Sequence, residues 1–218
     1  MFTLAEENYL KAIYHLSLHS SKGISTNSLA KQVGAKPSSV TDMVKKLSEK
    51  EVVIYKKYQG VTLTDSGRKT AANIIRKHRL WELFLVEKLN FSWDEVHEVA
   101  EQLEHIKSPK LIQEIDAFLG FPTQDPHGDP IPDKDGNIQP IQKRILATLT
   151  ANESGICVGV RDSSSEFLQF LDKQEIALGN NIKVLSKEPF DGSLEIEVQG
   201  VKKSISNKIA TNLYIQHA

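Results

Sequence analysis

Apolar residues recur at helical spacing over the first half of the chain and at strand-like alternation over the last third. Thr3 with Glu6 three residues later makes a capping box, and Tyr9, Leu10, Ile13, Tyr14 and Leu16 then form the stripe of an amphipathic helix reaching about Leu18. SSKG breaks that pattern. Ser25 or Thr26 caps a second helix with Leu29, Ala30 and Val33 turned inward, and Gly34 ends it. Pro37 takes a first-turn position in a third helix whose buried stripe is Val40, Met43, Val44 and Leu47. VVIYKKYQGVTLT follows, two β-rich runs around a polar turn near Gln59 and Gly60. Helix, short turn, helix and hairpin is the order of a winged helix-turn-helix, in which the helix after the turn enters the major groove.

From Asp65 a long helix runs through TAANIIRKHRLWELFLVEKL. Its apolar set, including Trp81, Phe84 and Leu85, exceeds what one intramolecular face requires and predicts a dimer interface. FSWDEVHEVAEQLEHI and SPKLIQEIDAFLGF read as two further helices, the second stopped by Gly120 and Pro122. TQDPHGDPIPDKDGNIQP, rich in Pro, Gly and Asp, reads as a linker. Beyond it the short runs ILATLT, ICVGV, NNIKVL and SLEIEV predict a small barrel-like β domain, interrupted by one helix near SSEFLQFLDK.

Composition narrows the class. The chain of 218 residues is 39% hydrophobic, enough for ordinary cores, and no apolar run approaches the roughly 18 residues of a membrane span. The acidic start MFTLAEENYL lacks the regions of a signal peptide, so a cytoplasmic location is expected. A single cysteine, Cys157, excludes a disulfide framework and a Cys-based zinc site, and is expected to be a small buried apolar residue. The net charge of −1 conceals an asymmetry: residues 1–70 carry 11 Lys/Arg against 6 Asp/Glu, while the remainder is acidic. A basic front segment suits a nucleic-acid-facing module.

The exposed face of the third helix holds Ser38, Ser39, Thr41, Asp42, Lys45 and Lys46. Short hydroxyls and one carboxylate suit base edges, whereas Lys45, Lys46, Lys56 and Lys57 suit phosphates. Tyr58 adds an aromatic contact at the wing. A second cluster is HEVAEQLEH. On a helix His97, Glu101, Glu104 and His105 fall within about a 100° arc. His78 and Glu82 are i, i+4 on the preceding long helix, a ligand spacing. A solvated charged face is the plain alternative for each. The zincin motif is absent, because His97-Glu98-Val99-Ala100-Glu101 lacks the second histidine.

Taken together, EENYLKAIY, SSVTDMVKKL, RKHRLWE, VHEVAEQLEH and GFPTQDPHGDPIP resemble the DtxR/MntR family of metal-dependent transcriptional repressors over essentially the whole chain. The resemblance implies a mainly α protein with a β C-terminal domain. Its parts would be a winged helix-turn-helix DNA-binding domain over 1–70, a helical metal-binding and dimerisation domain with linker over 71–140, and an SH3-like (FeoA-type) domain over 141–218. It implies a homodimer that binds palindromic double-stranded operators when loaded with Mn²⁺ or Fe²⁺, represses metal-uptake genes and catalyses nothing. It also implies two metal sites. The principal one maps to Asn8, Glu101, Glu104 and His105. The second maps to His78, Glu82 and His97, completed from Asp125 and His127 in the linker with Asp162 or Glu166 in the β domain.

Two departures refine the expectation. Asn8 offers a neutral amide oxygen where manganese regulators of the family carry Asp and iron regulators Met, and Glu101 stands where iron members have Cys. A donor set without sulfur favours Mn²⁺ or Fe²⁺, with manganese preferred. Lys11 occupies the position of a bridging Glu in the short manganese regulators, and a protonated lysine cannot ligate, which points to two separated sites. Glu101 and Glu104 are expected to repel each other in the metal-free protein and loosen it. The competing classes are a winged-helix regulator sensing an organic ligand and a metallo-hydrolase. The second has no Gly-x-Ser-x-Gly and no phosphate loop to support it.

Overall fold

The computed structural model describes residues 2–18, 20, 22–139 and 141–216. Met1, Pro140 and Ala218, which bound the expected domains, and Ser21 in the first helix break lie outside them. By contacts the chain forms two compact bodies. One comprises 1–81, 100–121 and 131–139; the other comprises 82–99, 122–130 and 140–218.

The first body begins with α1 (Leu4–Ser17), α2 (Thr26–Val33) and α3 (Pro37–Glu49). The capping box forms: Thr3 Oγ1 accepts from the Glu6 amide at 3.3 Å, and the Thr3 amide donates to Glu6 at 2.8 Å. Glu6 also accepts from Lys50 Nζ at 2.7 Å, joining the start of α1 to the end of α3. That ammonium, with the Thr3 amide, holds the Glu6 carboxyl below its ordinary range against the opposing effect of burial. Ser25 is the α2 cap, and Gly34 ends the helix at φ 64°, the left-handed conformation that costs glycine nothing. Leu10, Ile13, Leu29, Val40, Val44, Leu47 and Val61 are fully buried in one core, against which Ala71, Ile74 and Ile75 of α4 (Asp65–Leu89) also pack. The wing is the hairpin β1 (Val53–Lys56) and β2 (Gly60–Leu63). It is pinned to the chain before α2 by reciprocal backbone bonds between Ile24 and Val61 at 2.8 and 2.9 Å.

One helix is shorter than the sequence expectation. The run FSWDEVHEVAEQLEHI yields only α5 (Val96–Leu103), preceded by a turn in which Ser92 and Glu95 bond to each other. Glu104 and His105 therefore sit in the turn that closes α5, although the Glu104 amide still reaches the Ala100 carbonyl at 2.8 Å. α6 (Pro109–Phe118) is capped by Ser108, whose side chain accepts from the Leu111 amide.

The stretch taken for a linker is folded. Asp125 Oδ1 accepts from the amides of His127 and Asp129 at 2.8 and 2.9 Å, and Asp133 Oδ1 does the same for Asp135 and Asn137. These are Asx turns, in which a short carboxylate replaces a backbone acceptor. Ile138 packs into the first body's core, and Arg76 Nη1 donates to the Pro132 carbonyl at 2.7 Å.

The second body carries a six-stranded antiparallel sheet in the order β3-β8-β4-β5-β6-β7. Its strands are β3 (Arg144–Ile145), β4 (Ser154–Val160), β5 (Asn181–Lys187), β6 (Leu194–Val198), β7 (Val201–Ile205) and β8 (Leu213–Gln216), with α7 (Ser165–Lys173) and α8 (Asn207–Ala210) between them. Of ILATLT only the start is strand; Leu146–Thr148 is a 3₁₀ turn. β7 and β8 are additional to the sequence expectation. Cys157 is buried, and burial pushes its thiol up to about 11, so it is a packing residue and not a nucleophile.

The wing anchor generates a stability test. A Cβ on Gly60 would stand 2.5 Å from the Ile24 carbonyl oxygen at φ 92°, whereas one on Gly34 would meet nothing within 4 Å. Gly60→Ala is expected to cost roughly 2–4 kcal/mol because it adds a backbone clash to left-handed strain. Gly34→Ala carries the strain alone, about 1 kcal/mol. Urea midpoints of the two variants check this, and equal losses would refute the proposed wing anchor.

Candidate metal centre and nucleic-acid interface

Within the first body, α1 presents Glu7 and Lys11, one helical turn apart, to the end of α5. Lys11 Nζ donates to both oxygens of Glu104, at 2.9 and 2.8 Å, and lies 3.4 Å from Glu101 Oε1. His78 Nδ1 on α4 stands 2.6 Å from Glu104 Oε2. His105 Nδ1 stands 2.6 Å from Glu7 Oε2, and its Nε2 lies 3.7 Å from Glu104 Oε1. Glu104 is completely buried. Burial raises its carboxyl pKa, but the His78 bond and the Lys11 charge outweigh that effect and hold it below the ordinary range.

This arrangement corrects one expectation and qualifies another. Glu101 and Glu104 do not face each other unpaired, because Lys11 lies between them and neutralises the repulsion foreseen from the sequence. Asn8 is exposed, and the α1 side chain that meets His105 is its neighbour Glu7.

The second body holds another donor group. Glu82, Asp125 and His127 are all buried, and one donor atom from each lies within 4.8 Å of the others. Glu82 Oε1 is 3.2 Å from His97 Nδ1, and Glu82 Oε2 is 3.8 Å from His127 Nδ1. His127 Nε2 is 2.7 Å from the Trp93 carbonyl, which only accepts, so Nε2 carries a proton and Nδ1 is aimed at the carboxylates. The Trp93 ring stacks on that imidazole at 6.2 Å and donates through Nε1 to Asp172 of α7 at 3.1 Å. Trp93 is a support that sequence reasoning missed. Among the described residues, Asp162 and Glu166 join no such cluster of three donors. Asp162 accepts from the Ser164 amide at 2.9 Å, and Glu166 lies beside His97 in an open cleft of about 620 Å³.

Both groups offer carboxylate oxygens and imidazole nitrogens at positions held by other bonds. Such a set fits a hard or borderline divalent cation and gives nothing to attract a thiolate-preferring ion.

The residues expected to face DNA lie mostly at the surface. Ser38, Ser39, Asp42, Lys45 and Lys46 on α3 are exposed, and Thr41, half-buried, turns its hydroxyl back to the Pro37 carbonyl at 3.0 Å. On the wing Lys56, Lys57 and Tyr58 are exposed, with Lys57 Nζ 5.1 Å from the centre of the Tyr58 ring. No helix among the described residues is long and apolar enough to cross a membrane.

Comparison with known proteins matches three segments of the chain. Residues 1–61 match the iron-dependent repressor N-terminal DNA-binding domain, 64–133 the iron-dependent repressor metal-binding and dimerisation domain, and 145–217 the FeoA domain. A transcriptional regulator of Methanocaldococcus jannaschii, MJ0568, is 38% identical over 113 residues, 52% of this chain and 90% of its own. MntR of Bacillus subtilis is 32% identical over 126 residues, 57% of this chain and 87% of its own. Among solved structures, a manganese-dependent transcriptional repressor in complex with manganese superposes with a TM-score of 0.88 at 35% identity, covering 97% of this chain and 99% of that one. ScaR with bound Zn²⁺ gives 0.76 at 32% identity, covering 98% and 99%.

A winged helix-turn-helix joined to buried carboxylate–imidazole clusters defines a metal-dependent DNA-binding repressor, not an enzyme. The chain belongs to the DtxR/MntR family of metal-dependent transcriptional repressors, in the long form that carries a FeoA-type domain.

The His127 environment predicts a pH dependence of the metal-free protein. Burial lowers its pKa, but Glu82 and Asp125 outweigh it and push the value up to about 9 from an ordinary 6.5. A raised folded pKa stabilises fully below about 6.5, and the contribution fades as pH rises through about 9; the gap corresponds to roughly 3 kcal/mol. His127→Gln should therefore flatten the decline in Tm between those limits. A variant whose Tm falls as steeply as the parent's would contradict this.

Proposed function

We propose that this protein is a manganese-activated homodimeric repressor of metal-uptake genes, acting in the cytoplasm on a palindromic operator. Ferrous iron is the alternative effector. The single observation that carries the reading is the convergence of α1, α4 and the end of α5 on the buried Glu104. In it the DNA-reading module and the helical region share one carboxylate-lined point.

The principal ligands are Asn8, Glu101, Glu104 and His105, with Glu7 holding His105 in place. Glu82, Asp125 and His127, with His97 beside Glu82, form the second site, and His78 stands one turn before Glu82 on α4. The donors are oxygens and imidazoles, which supports manganese over softer ions; cell supply completes the choice. A bound divalent cation would supply positive charge between the carboxylates and a tie to α1.

The chain's own residues transmit that tie. α1 packs by Leu10 and Ile13 into the core that also anchors α3 through Val40, Val44 and Leu47, so fixing α1 fixes the reading helix. Metal shifts operator affinity only by its differential affinity for the DNA-competent arrangement, and a coupling of about 1–3 kcal/mol, or 5–150-fold, is the usual scale. Ser38, Ser39, Thr41 and Asp42 read bases, while Lys45, Lys46, Lys56 and Lys57 hold phosphates beside Tyr58. Trp81 and Leu85 are buried within the chain itself, contrary to the sequence expectation, so the dimer surface on α4 is carried by the half-buried Phe84 and the exposed Leu89.

Operator binding with and without Mn²⁺ tests the reading. His105→Ala and Glu104→Gln should remain folded and dimeric yet lose metal-stimulated binding. A His105→Ala protein that responds like the parent would remove this centre as the sensor. Lys45→Ala and Lys57→Ala should weaken binding to specific and random DNA alike, each lowering the salt slope by about 1. Unchanged affinity and slope in both would reject the docking. Sedimentation that shows only monomer at micromolar concentration with Mn²⁺ present would reject the homodimer.

A further inference from the structure

We propose that Lys11 is the resident cation of the Glu104 centre, that a divalent ion must displace it to bind there, and that this exchange sets the metal threshold of the sensor. The inference rests on the ligand assignment just proposed and adds a residue that is not itself a ligand.

The geometry carries it. Both oxygens of Glu104 accept from the one ammonium, at 2.9 and 2.8 Å, and Glu101 stands 3.4 Å from the same nitrogen. Glu104 is fully buried and the Lys11 side chain is 14% exposed, so the pair is largely out of water. A charge-assisted bond in such a place is strong, and a buried carboxylate left without its partner is costly. The ammonium thus holds the place on the carboxylate pair that an incoming cation needs. An ion on the Glu104 oxygens would lie within a few ångströms of Nζ, and two cations so close repel strongly in a partly buried setting. They exclude one another.

Displacement is feasible because of what lysine is. Its ammonium rides on a flexible four-carbon stem and is readily hydrated, and the residual exposure shows a way to solvent. Lys11 leaves still protonated; no bond but the ion pair is broken. His78 keeps its contact with Glu104 Oε2 at 2.6 Å, so the carboxylate retains one partner during the exchange. The apparent affinity for metal is then the intrinsic affinity reduced by the fraction of molecules in which Lys11 has left. Lys11 also joins α1 to the end of α5 while metal is absent, so the empty sensor is tied by the same elements, through a weaker cation.

The test uses full-length metal-free protein and Mn²⁺ itself, with binding followed by titration calorimetry and stability by thermal unfolding. Lys11→Met should bind Mn²⁺ at this site about tenfold or more tightly than the parent. Its metal-free Tm should be lower, and its gain on adding Mn²⁺ larger. Lys11→Arg, which keeps the charge, should bind no more tightly than the parent. If Lys11→Met does not fold without metal, Lys11→Gln, which leaves Glu104 a hydrogen-bond donor, carries the same affinity expectation. His105→Ala separates the two layers of the argument. Loss of one bound ion in His105→Ala together with parent-like affinity in the Lys11 variants would overturn the exchange alone. Retention of every ion at parent affinity in His105→Ala would overturn the ligand assignment and the exchange with it.

Discussion

A carboxylate with no access to water has to be matched by positive charge, and Glu104 is such a carboxylate. The surrounding architecture meets that demand from two directions. α1 brings Lys11, and α4 brings His78. Glu104 and His105 lie in the turn that follows Leu103 of α5, and from there they reach different partners. The early end of that helix is thus tied to the distribution of charge around one residue. Since α1 also lies in the core that positions α3, the charge state at Glu104 is mechanically connected to the DNA-reading surface.

The second donor group obeys the same constraint by other means. Glu82 and Asp125 are both buried, and the neighbouring His127 holds its proton up to about 9. At one centre the balancing cation is an ammonium, at the other an imidazolium. A sensor that must stay folded when empty needs a stand-in of this kind, because carboxylates gathered for a divalent ion would otherwise repel each other and open the structure. The cost is a lower apparent affinity, which places the response at a chosen concentration instead of at the tightest attainable one.

Much of this was legible in the chain, and the misses have physical causes. The winged helix-turn-helix could be read because caps, turn glycine, first-turn proline and buried stripe all agree from Thr3 to Leu63. The donor residues could be read because His and Glu at helical spacing are conspicuous. Their partners could not, because Lys11 to Glu104 spans 93 residues and no local rule reaches so far. β7 escaped because VKKSI shows no alternation: it is a largely exposed edge strand, paired only with β6, and lysines on an edge discourage further pairing. Its hairpin turn at Gln199 and Gly200, both at positive φ, was the available signal. TQDPHGDPIPDKDGNIQP looked like a linker because Pro, Gly and Asp mark loops, yet the same residues build Asx turns when their carboxylates close on nearby amides.

That last distinction bears on the second donor group. A flexible loop would have to be ordered when it contributes Asp125 and His127, and the lost conformational freedom would weaken binding. Here the order exists beforehand. Asp125 is fixed by the amides of His127 and Asp129, which hold its carboxylate within reach of Glu82 and His127. Gly128 presses so closely on β4 that an added Cβ would stand 2.0 Å from the Val158 carbonyl oxygen, and the Val160 amide bonds the His127 carbonyl at 3.0 Å. Trp93 closes the other side of the imidazole. The loop is thus held by β4 on one side and Trp93 on the other, through bonds that owe nothing to an ion. The stiffness of this donor group comes in part from its bonds to β4.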